Sequence, residues 1–125
     1  MTPLLVLCLA AALLAAAAGV FLYRCTHYWQ GSLARSRRAG FRERDARLPD
    51  GSVIHYAEGP DNGPPLLLIH GQTGCWKDYG PVLPQLSRSW HVFAVDCYGH
   101  GQSSHHPEKY SLRAGGEDLL WLIRH

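Results

Sequence analysis

The chain has 125 residues, 46% of them hydrophobic, and a formal net charge of +2. That length leaves room for one small domain. Seven arginines between residues 24 and 47 carry the positive charge; beyond them five Lys and Arg face eight Asp and Glu, a net −3 with His neutral. A mildly acidic folded part excludes a nucleic-acid-binding domain, which would present a basic face.

Residues 3–23 contain no charge, and about 20 consecutive apolar residues are the length of a membrane span. Three readings are open. The segment can be an uncleaved membrane anchor, with Phe21, Tyr23, Tyr28 and Trp29 as an aromatic belt at one interface. It can be a signal peptide cleaved near Ala16-Ala17-Ala18. It can be a buried core helix, which a run apolar on every face disfavours. No Lys or Arg precedes the run, which counts against the signal peptide, so the anchor is preferred. All the positive charge near the span follows it, and the positive-inside rule then puts the C-terminal part in the cytoplasm; the alternative is export after cleavage. The arginines themselves read as a solvated linker or as a contact for anionic headgroups beside the anchor. The expected organisation is an anchor or signal segment over residues 1–29, a basic linker over 30–40 and a folded domain over 41–125.

The folded part opens with a possible strand over 41–48, the turn signal Pro49-Asp50-Gly51-Ser52 and a second strand over 53–57, which together read as a hairpin. Gly59-Pro60-Asp61-Asn62-Gly63-Pro64-Pro65 is a surface loop. The run Leu66-Leu67-Leu68-Ile69 suits a central strand covered on both faces. His70-Gly71-Gln72-Thr73-Gly74 follows as a glycine turn. Tyr79, Val82, Leu83 and Leu86 then fall at helical spacing, with Pro81 and Pro84 confining that helix to a short or kinked one. Residues 92–95 form the next buried strand. Strand, helix, strand in this order implies a parallel pair with a right-handed crossover. Last, Ser111 can cap a helix carrying Leu112, Leu119, Leu120 and Ile123 on one face, with Gly115-Gly116 weakening it or allowing close packing.

The cysteines Cys8, Cys25, Cys75 and Cys97 show no CxxC spacing. Free thiols are the default, with a Cys75–Cys97 disulfide as the alternative. Zinc held by these with His100, His105 or His106 is disfavoured, because the ligand spacing of zinc modules is missing. No metal site is expected.

The order is hairpin, buried strand, His70-Gly71-x-x-Gly74, helix, buried strand, Asp96-x-x-Gly99-x-Gly101-x-Ser103, helix. This resembles the α/β-hydrolase fold family, from its first strand to the helix before its nucleophile-bearing strand, over about residues 41–125. The resemblance implies a partial α/β-hydrolase sheet: an N-terminal hairpin plus two parallel strands with crossover helices, preceded by the apolar helix. In that family the turn after the His-Gly pair helps build an oxyanion hole. Backbone N–H groups at a strand end can face the oxyanion of a tetrahedral intermediate without reorganising. The resemblance thus assigns the Gln72 N–H as donor, with Gly71 allowing close approach. His70 is expected to tie loops together rather than act as a base. Asp96, Gly99 and Gly101 are expected to structure the loop near the site.

The G-x-S-x-G elbow of the family is absent. Gly101-Gln102-Ser103-Ser104-His105 lacks the last glycine, and Ser103 does not sit on a sharp strand-to-helix turn. Asp96, His100 and Ser103 share one short loop, whereas the family draws acid and base from segments after the nucleophile. Gly71 to Lys77 is not a phosphate-binding loop, and the loop at Gly99 lacks the third glycine of a dinucleotide fingerprint. The resemblance implies no cofactor.

Two function classes follow. One is the N-terminal part of a membrane-anchored hydrolase that ends early. The complete protein would cleave an ester, amide or related bond of a small-molecule substrate with a serine nucleophile, or use an aspartate nucleophile on epoxides or haloalkanes; the 125 residues alone would be inactive. The other is a non-catalytic, membrane-tethered pseudo-enzyme or binding remnant. It is disfavoured as a free fold because the strand at 66–69 would become an apolar exposed edge.

Overall fold

A computed structural model describes residues 2–125, the side chains of Thr26, Tyr28 and Glu108 excepted. Met1 and the Tyr28 side chain of the expected aromatic belt therefore lie outside the described residues. The chain divides into two compact units, Met1–Ser32 and Leu33–His125.

The first unit is helical. Helix α1 (Pro3–Arg38) opens at a proline, tolerated there because the first turn needs no N–H. Leu and Ala, strong helix formers, fill its first half. Leu4, Leu13, Phe21 and Leu22 are exposed. α1 is long and apolar enough to cross a membrane, with none of the apolar stretch buried. A signal sequence satisfies the same criteria of length and composition. Residues 30–38, read as linker, continue this helix to Arg38.

The second unit is a four-stranded mixed sheet in the order β1-β2-β4-β3. β1 (Arg42–Arg47) and β2 (Val53–Glu58) form the expected antiparallel hairpin, with Arg47 opposite Val53. Its turn is held by Asp50, whose Oδ1 accepts the Ser52 N–H at 2.9 Å and the Ser52 hydroxyl at 2.6 Å. β3 (Pro65–Ile69) lies parallel to β4 (His91–Val95), Leu66 opposite Val92. Between them the chain makes a 3₁₀ turn over Trp76–Tyr79 and the single-turn helix α2 (Leu83–Leu86). The prolines break up the expected helix as anticipated, and Val82 is exposed rather than on its packed face.

The alternation of the strands sorts side chains into two cores. On one face Phe41, Ala57, Trp76, Leu83, Val92 and Ala94 cluster, with Leu33, Ala39, Leu66, Leu68 and Tyr79 against them. The last turn of α1 joins this layer, its Ser36 hydroxyl donating to the Gly80 carbonyl at 3.2 Å. On the other face Leu48, Ile54 and Val95 meet Leu67, Cys97, Leu119, Trp121 and Leu122. The second layer is built by helix α3 (Leu112–Arg124), capped as expected by Ser111, whose Oγ accepts the Ala114 N–H at 3.1 Å.

Two expectations are corrected. The strand at 66–69 packs on both faces, Leu66 and Leu68 against one core and Leu67 against the other, but it is not central: β3 ends the sheet order and Ile69 is 49% exposed. No strand among the described residues pairs with its outer edge. The packed face of α3 also differs. Leu112 is 99% and Ile123 64% exposed, and Leu120 faces out. Leu119 packs inward as expected, but Asp118 and Leu122 join it instead of the other three, a rotation of roughly a quarter-turn on the helical wheel. Asp118 is buried on an ion pair with Lys109 at 2.8 Å, on the side where Leu119, Trp121 and Leu122 pack.

Candidate functional site

The carboxyl ends of β3 and β4 open into two loops, and such strand ends are where open α/β sheets bind ligands. A cleft of about 660 Å³ lies there, lined by Ile69, His70, Gly71, Gln72, Asp96, Cys97, Tyr98 and His100 on the loop side and by Tyr110, Leu112, Gly115, Asp118 and Leu119 opposite. The expected residues His70, Gly71, Gln72 and Asp96 thus share one cleft; Gly99 and Gly101 shape the loop behind it.

His70 is buried and bridges the loops. Its Nε2 accepts the Cys97 N–H at 2.9 Å, so Nδ1 carries the proton and donates to the Gly71 carbonyl at 2.7 Å. Both ring nitrogens are occupied, which leaves no lone pair for base chemistry. The Gly71 carbonyl also accepts the Gly74 N–H at 3.1 Å, closing the turn. Within that turn Thr73 has φ 68°, a left-handed conformation that is a true outlier for a β-branched residue. Gln72 is exposed, and its backbone N–H meets no acceptor among the described residues.

Asp96 is 1% exposed. Its Oδ1 accepts the Trp76 N–H at 2.7 Å and its Oδ2 the Gln102 N–H at 2.9 Å, so one carboxylate ties the start of the 3₁₀ turn to the glycine loop after β4. Gly101 has φ 53°, and a Cβ there would collide with the Asp96 carboxylate; Gly99, at φ 80°, lies under the Tyr110 ring. Both glycines are required by space as well as by conformation.

Ser103 is 1% exposed and built into the sheet. Its hydroxyl donates to the Asp96 carbonyl at 2.7 Å and accepts the His55 N–H at 2.8 Å. Ser104 pairs beside it, its Oγ accepting the Val53 N–H and its own N–H reaching the Val53 carbonyl, both at 2.9 Å. The two serines continue β2 where β4 has ended. This role was not anticipated, because it depends on which strand lies alongside.

The cysteines are free thiols. Burial, reinforced by the Asp96 carboxylate, pushes the Cys97 thiol up; burial likewise raises that of Cys75. Neither has the low-pKa environment of a reactive thiolate. Among the described residues no three His, Cys, Asp or Glu side chains gather as a metal site.

Below the cleft lies a second cluster. Lys109 Nζ is 2.5 Å from Asp50 Oδ2, 2.8 Å from Asp118 Oδ1 and 3.1 Å from Ser52 Oγ, and it stands 5.0 Å from the Tyr98 ring centroid. One ammonium joins the hairpin turn, the glycine loop and α3.

A family model described as alpha/beta hydrolase fold matches residues 64–125. Among curated relatives, a serine hydrolase-like protein of Danio rerio is 34% identical over 61 residues, covering 49% of this chain and 19% of that protein. A soluble epoxide hydrolase of Corynebacterium sp. (strain C12) is 30% identical over 76 residues, 61% of this chain and 26% of that one. Among solved structures, a bacterial membrane phospholipase A superposes with a TM-score of 0.65 at 26% identity, over 95% of this chain and 39% of that one. The chain thus spans about a quarter or less of these two curated relatives.

Proposed function

The chain belongs to the α/β-hydrolase fold family, and from that premise we propose that it is the oxyanion-loop part of a membrane-anchored hydrolase acting on an ester, amide or related bond of a small-molecule substrate. The observation that carries this is the His70-to-Gly74 turn. It opens on the cleft at the end of β3, fixed from behind by the His70 ring, and leaves the Gln72 N–H without an acceptor.

In this reading the Gln72 N–H donates to the oxyanion of the tetrahedral intermediate, and its preorganisation lowers the barrier. Gly71 keeps a side chain out of the substrate's approach. His70, Asp96, Gly99 and Gly101 hold the loops. The nucleophile, base and acid lie outside these 125 residues in the complete hydrolase, since Ser103 is engaged by two backbone groups and the cysteines are not activated. A serine nucleophile working through an acyl-enzyme is preferred; the likeness to an epoxide hydrolase keeps an aspartate nucleophile as the variant.

α1 serves as an uncleaved anchor with the hydrolase part in the cytoplasm. Support comes from its exposed apolar stretch, from the arginines that follow it, and from the likeness to a membrane phospholipase A, whose 95% coverage takes in most of α1.

The test has two arms. The 125-residue chain in detergent is assayed on an activated short-chain ester, with Ser103→Ala as control; no turnover above background is expected. The complete gene product is treated with a fluorophosphonate probe, and labelling of a serine outside residues 1–125 is expected. Ester turnover by the short chain that vanishes in Ser103→Ala overturns the assignment of roles. A complete product that neither labels nor turns over substrate favours the non-catalytic, membrane-tethered reading.

A further inference from the structure

His100 takes no part in the roles assigned so far, yet it is the residue that the glycine loop after β4 delivers to the oxyanion turn. Its own N–H closes a turn onto the Cys97 carbonyl at 2.9 Å, and the left-handed Gly99 and Gly101 flank it. The ring then reaches across the cleft. Its Nε2 accepts the Thr73 N–H at 3.4 Å, and its Nδ1 lies 3.2 Å from the Tyr98 carbonyl oxygen. These two contacts fix one tautomer: Nδ1 carries the proton and donates to Tyr98, leaving Nε2 as acceptor. The His70 ring, in the same tautomer, stands 5.0 Å away.

The acceptor meets the one non-glycine residue with positive φ among the described residues. A β-branched residue in the left-handed region is strained, and such strain persists only where the surroundings hold it. The peptide between Gln72 and Thr73 carries the Gln72 carbonyl and the Thr73 N–H, so the His100 contact pins the plane that follows Gln72, while the His70 bond to the Gly71 carbonyl pins the plane that carries the Gln72 N–H.

We propose that His100 is a positioning residue for the oxyanion turn: its Nε2, by accepting the Thr73 N–H, holds Thr73 left-handed and fixes the peptide that follows the Gln72 donor, so that Gln72 is held between His70 on one side and His100 on the other. The catalytic meaning rests on the reading of this turn as an oxyanion hole; the His100–Thr73 contact does not.

The full chain, labelled with ¹⁵N at His and Thr, tests this in detergent micelles. The wild-type His100 Nε2 resonance is expected at the shift of an unprotonated acceptor. Exchange of the Thr73 amide with solvent is expected to speed up at least tenfold in His100→Ala and to stay near wild type in His100→Gln, whose side-chain oxygen is again an acceptor. In a Thr73→Gly background, where left-handed backbone is unstrained, adding His100→Ala should leave the Gln72 amide resonance unmoved. A protonated Nε2 in the wild type, or Thr73 exchange indifferent to His100→Ala, overturns the proposal. Should His100→Ala fail to fold, the wild-type tautomer and the His100→Gln variant still decide it. In the complete hydrolase, His100→Ala should lower kcat with little change in KM. An unchanged kcat beside the expected amide behaviour would leave the contact standing and overturn the catalytic reading of the turn.

Discussion

The Asp96 carboxylate shows how much a single side chain can organise. It is buried, forms no ion pair among the described residues, and is satisfied by two backbone N–H groups from different loops. Asp96→Asn turns one acceptor into a donor facing a buried N–H. The expected cost is about 1–3 kcal/mol, read as a lower midpoint in denaturant melts. Gly101→Ala should cost at least as much, because the methyl group meets that carboxylate and the backbone is left-handed. Both residues were legible in the sequence, since an acid at a strand end followed by spaced glycines has few other uses. Ser103 was not legible: its hydroxyl replaces a backbone pairing with His55 on β2, and only the register of the strands brings those residues together. Thr73 was equally hidden, because nothing in its residue type announces a left-handed backbone.

Among the elements, α3 separates what pattern reading captures from what it misses. Its cap and extent followed from Ser111 and the apolar spacing. Its packed face did not: Asp118, paired with Lys109, and Trp121 and Leu122 turn inward where Leu112, Leu120 and Ile123 were expected. Two consequences are measurable. An added Cβ at Gly116 meets nothing within 4 Å, so Gly116→Ala should stabilise the unit by about 0.5–1 kcal/mol through helix propensity alone, visible as a higher melting temperature. The second concerns the Lys109 cluster. Hydrogen bonds from Lys109, then from Ser52, hold the Asp50 carboxyl well below the usual carboxylate range. Partial burial opposes the charge on Lys109, but its bonds to Asp118 and Asp50 raise its pKa above the ordinary amine value. A depressed acid contributes its stability above its unfolded pKa, about 3.9 for Asp, and loses it as pH falls through the lower folded value. A raised amine contributes below its unfolded value, about 10.4, and loses it as pH rises through the folded one. The stability gap between wild type and Lys109→Met should therefore be widest between those limits and shrink below about pH 4. Melting temperatures taken across pH 2 to 8 on both proteins would show it; a gap constant with pH would contradict the assignment.

For the whole molecule, the sheet is finished on one side and open on the other. β1 closes its edge with alternating charge, Arg42, Glu43, Arg44, Asp45 and Arg47, the usual defence of an edge strand. β3 has no such defence. Its residues are Pro65, Leu66, Leu67, Leu68 and Ile69, and Leu120 and Ile123 add exposed apolar surface on α3. The run of leucines reads in sequence as a strand made to be covered, and the structure places it on the rim. The unit should accordingly bind hydrophobic dyes, as incompletely packed states do. Ile69→Lys, at a half-exposed rim position, should reduce self-association in sedimentation experiments without lowering the melting temperature.

Membrane topology is the remaining whole-molecule question, and charge placement argues its answer. α1 has no Lys or Arg in its apolar stretch before Arg24, while Arg35, Arg37 and Arg38 close its last turn. Positive charge within about 15–20 residues of a span is what sets its orientation. The expected arrangement is an uncleaved span with its N-terminus outside and Leu33–His125 in the cytoplasm. A fluorescent reporter fused after His125 should glow, and alkaline phosphatase at the same point should stay inactive. Replacing Arg24, Arg35, Arg37 and Arg38 together with Gln should weaken that bias and yield a mixed population. Active phosphatase on the unaltered chain, with a new N-terminus near Gly19, would instead establish cleavage and export.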